Sequence, residues 1–171
     1  MKERGDRISF CRLSRTKETG ICFCLVSTMN ITLREDLDPD PDFYYRYQFK
    51  IYREPYLIWD RDVWEAVLDS CAVYRIEVDG AYAGDILLEG RGKDRKYIVD
   101  FSILPEYQGK GIGKAVLKKM KKMGHKLTAV TRKETLDFFL KSEFVIRKTI
   151  KNYYHPGVDG YYIESSLGRE N

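Results

Sequence analysis

The stretch that most constrains the fold is residues 96–124, which read KYIVDFSILPEYQGKGIGKAVLKKMKKMG. Residues 97–104 are nearly continuously apolar and rich in residues that favour strands, a pattern typical of a strand covered on both faces. Pro105 ends this strand because proline donates no hydrogen bond to a ladder. A glycine-rich turn follows, and then an amphipathic helix that stops at Gly124. The stretch therefore predicts a buried strand that is followed by a glycine-rich turn and then by a helix.

The turn lies where a helix can bind an anion. The first N–H groups of a helix have no intrahelical partner and point along the positive end of its dipole, so phosphate is their natural ligand. The glycines fall at 109, 111 and 113, a spacing that excludes the P-loop and the Rossmann fingerprint. Residues 107–126 carry seven lysines and no acid, which adds a positive field around the turn. The alternative interpretation of these lysines is a solvated polar face of the helix.

The turn also matches a known family pattern. Gln108, Gly111 and Gly113 fit Q/R-x-x-G-x-G/A, which resembles the acetyl-coenzyme A pyrophosphate loop of the GNAT superfamily of N-acetyltransferases. The strand before the turn and the helix after it are the family's context too. The resemblance covers roughly residues 29–167. It implies an α/β (α+β) protein with the GNAT fold, in which about four helices flank a mixed central sheet of about six to seven strands.

The same resemblance implies that acetyl-coenzyme A is the cosubstrate and assigns residues to it. Main-chain groups of the turn would bind the diphosphate, at Gln108, Gly109, Lys110, Gly111, Ile112, Gly113 and Lys114. The main-chain N–H of Ile103 would bind the thioester oxygen, which gathers negative charge during the reaction. Leu104 would contribute main-chain contacts to pantetheine.

Acetyl transfer to an amine requires a free lone pair on nitrogen, so an ammonium acceptor must lose a proton before or during the attack. Asp100, in the middle of the buried strand, is the candidate base, and an acid is common in this region of the family. The alternative interpretation is a buried partner of a lysine or tyrosine, or a carboxylate that faces out of the sheet. Glu106 is a weaker candidate because it lies beyond the end of the strand.

Two residues depart from the family pattern. Residues 136–144 align with the segment A-x-x-F-Y-x-x-x-G-F, but Phe139 stands where a tyrosine often protonates the leaving thiolate, and Glu143 replaces the glycine. Phenylalanine has no proton to give. Tyr153 and Tyr154 are therefore the candidate acids, with water as an alternative, unless efficient catalysis has been lost.

Two functions follow. The first is an acetyl-coenzyme A-dependent N-acetyltransferase that acts on a primary amine by direct attack on the thioester. Its acceptor is a small amine or a peptide or protein N-terminus, since residues 151–154 and 160–162 look like the strand-loop-strand of the protein N-terminal acetyltransferases. The second is a coenzyme A-binding regulatory protein with reduced or lost catalysis.

The chain of 171 residues suits one ordinary domain. Met29 opens an alternating run that looks like the usual start of the acetyltransferase domain, so we predict this domain over residues 29–171 and an N-terminal extension over residues 1–28. Within the extension, residues 7–13 and 21–27 could pair as a hairpin. The remaining predicted elements are helices over 43–52, 60–70 and 135–142, and strands over 71–79, 81–88, 126–131, 144–151 and 160–166, with a loop at 152–159. The strand over 126–131 is expected to run parallel to that over 97–104.

Composition limits the alternatives. No run approaches the roughly 20 apolar residues of a membrane span, and no signal peptide is recognisable. The basic run has no interleaved aromatic residues, which argues against nucleic-acid binding. The four cysteines form neither a C-x-x-C pair nor a Cys/His cluster, so we expect reduced thiols in a cytoplasmic protein and no metal site. The expected partner is the amine acceptor, and the expected assembly is a monomer or a homodimer.

Overall fold

The computed structural model describes residues 6–15, 22–92 and 94–166, and for residues 6–15 and 22–28 it describes the backbone only. This part of the chain forms eight strands and four α-helices. In chain order these are β1 Asp6–Arg15, β2 Cys22–Asp36, α1 Pro41–Ile51, α2 Arg61–Ser70, β3 Ala72–Val78, β4 Ala81–Gly90, β5 Arg95–Ile103, α3 Ile112–Lys122, β6 Lys126–Thr131, α4 Lys133–Leu140, β7 Phe144–His155 and β8 Val158–Ser165.

All eight strands lie in one sheet, in the order β1-β2-β3-β4-β5-β6-β8-β7. β5 and β6 are parallel and the other neighbours are antiparallel, so the predicted mixed sheet and the predicted parallel pair are both confirmed. The expected number of strands, about six to seven, is lower than the eight described because β1 adds one edge strand.

The N-terminal hairpin is confirmed, since residues 6–15 pair with residues 22–31 in reverse order. β2 then continues without a break and pairs with β3 from Ile31 to Asp36. The predicted division after residue 28 therefore falls inside a strand. The assignment of residues 1–28 as an extension outside the domain stays a prediction.

Helices α1 and α2 cover one face of the sheet. Asp40 caps α1 because its Oδ1 accepts the Asp42 N–H at 2.9 Å, and Pro41 occupies the first turn, where no N–H is needed. Tyr44 of α1, 1% exposed, stacks on Trp64 of α2 with ring centroids 5.6 Å apart. Together with buried side chains of α2, β3 and β4, they form a core on this face, which comprises Tyr44, Trp64, Leu68, Val73 and Leu87.

Helices α3 and α4 cover the opposite face. The apolar side of α3 buries Ile112, Val116, Leu117 and Met120 against strand residues such as Ile86 and Ile98, and Phe139 of α4 joins the same core. The predicted amphipathic helix is thus confirmed.

The sheet divides between β5 and β6. These strands pair only from Arg95 to Tyr97 against Lys126 to Thr128. Beyond this joint they diverge, and α3 carries the chain from the end of β5 back to the start of β6.

The closing hairpin differs from its prediction. The expected loop at 152–159 is largely strand, and the turn is confined to Pro156 and Gly157. The strands continue past an irregularity at Asn152, whose φ is 53°. The Asn152 Oδ1 accepts the Gly157 N–H at 2.7 Å, and the Asp159 Oδ1 accepts the Asn152 N–H at 3.1 Å. These side chains replace missing ladder bonds, so the irregular backbone stays paired.

In the described residues, no helix combines the length and the apolar character needed to cross a membrane.

Candidate active site

A cavity of about 580 Å³ lies where β5 and β6 diverge. Its walls come from β5, the turn after it, the first turn of α3, β6, α4 and the segment after α1. The lining residues that carry the chemistry below are Tyr52, Asp100, Ile103, Gln108, Gly109, Gly111, Ile112, Gly113, Lys114, Arg132, Phe139 and Tyr154.

The glycine-rich turn forms one end of the cavity. Gln108 Nε2 donates to the Ile103 carbonyl at 2.8 Å and so fastens the turn to the end of β5. Gly111 has φ +76°, a left-handed conformation that glycine adopts without strain, and it leads directly into α3.

The start of α3 presents main-chain donors to the cavity. The first helical bond is Ala115 N–H to the Gly111 carbonyl at 3.1 Å, so the N–H groups of Ile112, Gly113 and Lys114 have no intrahelical acceptor. Among the described residues, no side chain caps this N-terminus. All three residues line the cavity, which gives the geometry of an anion site.

Gly113 is required for packing as well. A Cβ at this position would lie 3.0 Å from the Phe138 ring and 3.6 Å from the Phe101 ring. Glycine therefore lets the first turn of α3 approach β5 and α4 closely, which places its N–H groups at the cavity wall.

At the end of β5, the main-chain groups of Ile103 and Leu104 face in different directions. The Leu104 N–H donates to the Ala83 carbonyl at 2.9 Å, and the Leu104 carbonyl accepts the Tyr107 N–H at 2.8 Å. Because N–H groups alternate in direction along a strand, the Ile103 N–H points the other way, towards the gap before β6. Ile103 lines the cavity and Leu104 does not.

Asp100 lies on the wall of the cavity in the middle of β5. Leu87 of β4 is opposite Asp100 and Leu88 is opposite Ile98, so Val99 is an extra residue in β5 at a bulge. The Tyr52 hydroxyl donates to Asp100 Oδ1. Burial raises the pKa of Asp100, while the hydrogen bond from Tyr52 opposes this rise. A carboxylate with a raised pKa is a stronger base than an exposed one.

The two candidate acids differ in position. Tyr154 lines the cavity and donates its hydroxyl to the Val130 carbonyl at 2.7 Å, and burial raises the pKa of its phenol. Tyr153 is 47% exposed and packs edge-on against Tyr154, outside the cavity wall. Tyr154 is thus the better placed of the two.

The structure brings most predicted site residues to this one cavity. The predicted site residues outside the lining are Tyr153, Leu104 and Lys110, and the Lys110 ammonium lies 5.5 Å from the centre of the Tyr107 ring. Two lining residues were missed. Arg132 Nη1, at the start of α4, lies 3.6 Å from Glu54 Oε2, and Tyr52 follows the last residue of α1. The charge of Arg132 directly after a buried strand was the available signal.

Comparisons with known proteins give one family match. Residues 30–140 match the sequence model of a family described as the acetyltransferase (GNAT) family. No curated protein sequence matches the chain.

Several solved structures share the fold. The ribosomal-protein-S18-alanine N-acetyltransferase of Escherichia coli superposes with a TM-score of 0.67 at 15% identity, over 82% of this chain and 96% of that one. Arabidopsis thaliana Naa50, in complex with the bisubstrate analogue CoA-Ac-MVNAL, gives 0.63 at 19% identity, over 80% and 98%. A GNAT family acetyltransferase from Elizabethkingia anophelis with acetyl-CoA bound gives 0.60 at 19% identity, also over 80% and 98%.

Proposed function

Because the chain belongs to the GNAT acetyltransferase family, we propose that it transfers an acetyl group from acetyl-coenzyme A to a primary amine by direct attack on the thioester. The observation that carries this proposal is a single cavity that has an anion site at one end and the base candidate Asp100 on its wall. The acceptor would be a small amine or a peptide or protein N-terminus.

The turn and the first turn of α3 fit the diphosphate of the cosubstrate. The N–H groups of Ile112, Gly113 and Lys114 would bind phosphate oxygens, aided by the positive end of the helix dipole. Bound acetyl-coenzyme A would supply the activated acetyl thioester. Two solved relatives support this assignment, since one has acetyl-CoA bound and another has a coenzyme A bisubstrate analogue.

The residues around the gap would then act on the reacting atoms. Asp100 would accept the proton of the acceptor's ammonium group, so that the nitrogen lone pair becomes available. The Ile103 N–H would donate to the thioester oxygen as negative charge develops there. Tyr154 would give a proton to the leaving sulfur, which requires its hydroxyl to turn away from the Val130 carbonyl.

The acceptor class is supported by two of the structural relatives. One is the S18-alanine N-acetyltransferase, and the other is in complex with an analogue that joins coenzyme A to the peptide MVNAL. In this chain, Tyr52, Tyr56 and Tyr154 line the cavity near Asp100 and would contact an acceptor that enters there.

One residue favours a second function. Phe139 lines the cavity, packs on Phe138 and Phe144, and has no proton to donate. A protein that binds coenzyme A and transfers acetyl groups poorly or not at all would tolerate such a residue.

A thiol-release assay separates the two functions. Purified protein is mixed with acetyl-coenzyme A and a panel of amines that includes peptides with different first residues, polyamines and amino acids. Amine-dependent thiol release that Asp100→Asn reduces at least about 100-fold supports the enzyme, since general bases contribute about 10²–10⁴-fold. Saturable coenzyme A binding without release on any amine supports the regulatory protein. Failure to bind coenzyme A contradicts both.

A further inference from the structure

A second carboxyl group lies behind the cavity wall. Asp85 of β4 is 2% exposed and is opposite Ser102 of β5, while Leu87 is opposite Asp100. Asp85 and Asp100 are therefore diagonal neighbours on the same face of two adjacent strands. Asp100 faces the cavity, whereas Asp85 is not among the residues that line it.

A small chamber joins the two carboxyl groups. It has a volume of about 10 Å³, the space of one water molecule, and lies between the sheet and helices α1 and α2. Asp100 and Tyr52 line both the chamber and the large cavity, so they form the wall between them.

Three polar atoms of chamber residues have no hydrogen-bond partner among the described residues: Trp64 Nε1, Asp85 Oδ1 and Ser102 Oγ. Unpaired buried polar atoms are costly, and a water in the chamber would supply the missing partner. Water can accept from the Trp64 N–H, and it can donate to Asp85 or bond to the Ser102 hydroxyl.

The surroundings leave the pair without a counter-ion. Tyr82 donates to Asp85 Oδ2 at 2.5 Å, and Tyr52 donates to Asp100. On the cavity side, Tyr154 of β7 and Arg132 at the start of α4 line the same wall as Asp100, and Arg132 lies 3.6 Å from Glu54. On the chamber side the nearest titratable group is Tyr44 of α1 and, beyond it, Arg75 of β3, whose guanidinium is paired with Asp36 of β2 at 2.7 Å. Among the described side chains, no lysine or arginine forms an ion pair with Asp85 or Asp100.

Asp85 is buried and Asp100 is half-buried, and with no cation paired to either carboxyl group the two cannot both stay ionised at neutral pH. Burial, and next the charge of Asp100, raise the pKa of Asp85 to about 8. Because Asp85 is 2% exposed while Asp100 borders the cavity, burial opposes the charge of Asp85 more strongly, so Asp85 keeps the proton and the charge of Asp100 faces the cavity.

We propose that Asp85 and Asp100 hold one proton between them, that one water fills the chamber, and that Asp85 is a positioning residue for the base. This inference rests on the proposed function for the role of Asp100. With Asp85 neutral, Asp100 remains ionised and takes the proton that leaves the acceptor nitrogen. If Asp85 were ionised as well, its charge would hold a proton on Asp100 and block that step.

Infrared spectroscopy of the full chain tests the shared proton without any turnover. At pH 7 the wild-type protein should show the C=O stretch of a protonated carboxyl group, shifted in D₂O and lost as the pH rises through about 8. The band should be absent at pH 7 in Asp85→Asn.

A second variant tests the shared proton if Asp85→Asn does not fold. The hydrogen bond from Tyr82 lowers the pKa of Asp85, so Tyr82→Phe should move the loss of the band to higher pH. Tyr45→Phe, which removes a hydroxyl from α1 outside the chamber, should leave the band unchanged.

The absence of this band in the wild-type protein at pH 7, or its persistence in Asp85→Asn, would overturn the inference. A high-resolution crystal structure with no water density in the chamber would contradict the proposed water molecule. These outcomes differ from failure of the proposed function, which would appear as an intact band in a protein that transfers acetyl to no amine.

Discussion

Placing a negative charge at Gly111 tests the anion site directly. Gly111 precedes the first residue of α3 in a left-handed conformation with φ +76°. Aspartate and asparagine both tolerate this conformation, at a cost of about 1 kcal/mol in folding free energy. Gly111→Asp and Gly111→Asn therefore share shape and strain, and differ in one charge.

The expected size of the effect follows from Coulomb's law. Two unit charges about 4 Å apart repel by about 1 kcal/mol in bulk water and about 4 kcal/mol near a protein surface. The Asp variant should therefore bind coenzyme A about 5-fold to 1,000-fold more weakly than the Asn variant. The difference should shrink at high salt because ions screen exposed charges.

Isothermal titration calorimetry with coenzyme A measures this difference, and thermal unfolding confirms that both variants fold. Gly124 provides the control, since it has φ +83° at the other end of α3 and open space around it. Gly124→Asp and Gly124→Asn should bind coenzyme A with the wild-type affinity. Equal affinities of the two Gly111 variants, in a folded protein, would refute the location of the diphosphate at this turn.

Three further predictions concern stability. Leu117→Ala removes a side chain with 0% exposure and should lower the free energy of unfolding by about 2–5 kcal/mol in urea titrations, so a loss below about 1 kcal/mol would contradict the packing of α3. Gly84→Ala would place a Cβ 2.1 Å from the Ser102 carbonyl oxygen and should lower the free energy of unfolding by about 3 kcal/mol or more. Gly80→Ala meets no atom within 4 Å, so only its φ of +84° opposes the substitution and the loss should be about 1–2 kcal/mol by the same measurement. Asp85 keeps its proton up to about pH 8 in the folded protein and loses it near pH 4 in the unfolded chain, since its pKa is raised by folding. The free energy of unfolding of the wild-type protein, relative to that of Asp85→Asn, should therefore fall as the pH rises from about 4 to about 8 and level off above pH 8. A difference that does not change with pH would show that Asp85 is ionised in the folded protein.

Local patterns predicted the elements around the site. The strands β3 to β6 lie within two residues of their predicted ranges, and β6 matches at both ends. Asp79-Gly80, a dipeptide typical of hairpin turns, forms the turn between β3 and β4, with φ of 51° and 84°. Each of these features depends on a few consecutive residues, which is why the sequence reveals them.

Contacts between distant residues were not predictable in this way. Tyr52 meets Asp100 because α1 ends beside β5, although 48 positions separate the two residues. Asp85 gave a signal as an acid within an apolar strand, but its burial depends on α1 and α2 covering that face. Likewise, the length of β7 depends on side-chain bonds from Asn152 and Asp159 that no strand pattern contains.

The short joint between β5 and β6 has a mechanical consequence. Because only residues Arg95 to Tyr97 and Lys126 to Thr128 pair, the two parts of the sheet are joined at one end alone. Ile103 is six residues beyond this joint, about 20 Å along the strand, so a change of about 5° in the angle between the two parts would move it by almost 2 Å. Substitutions at the joint, far from the cavity, would therefore change the width of the cleft at the reacting atoms.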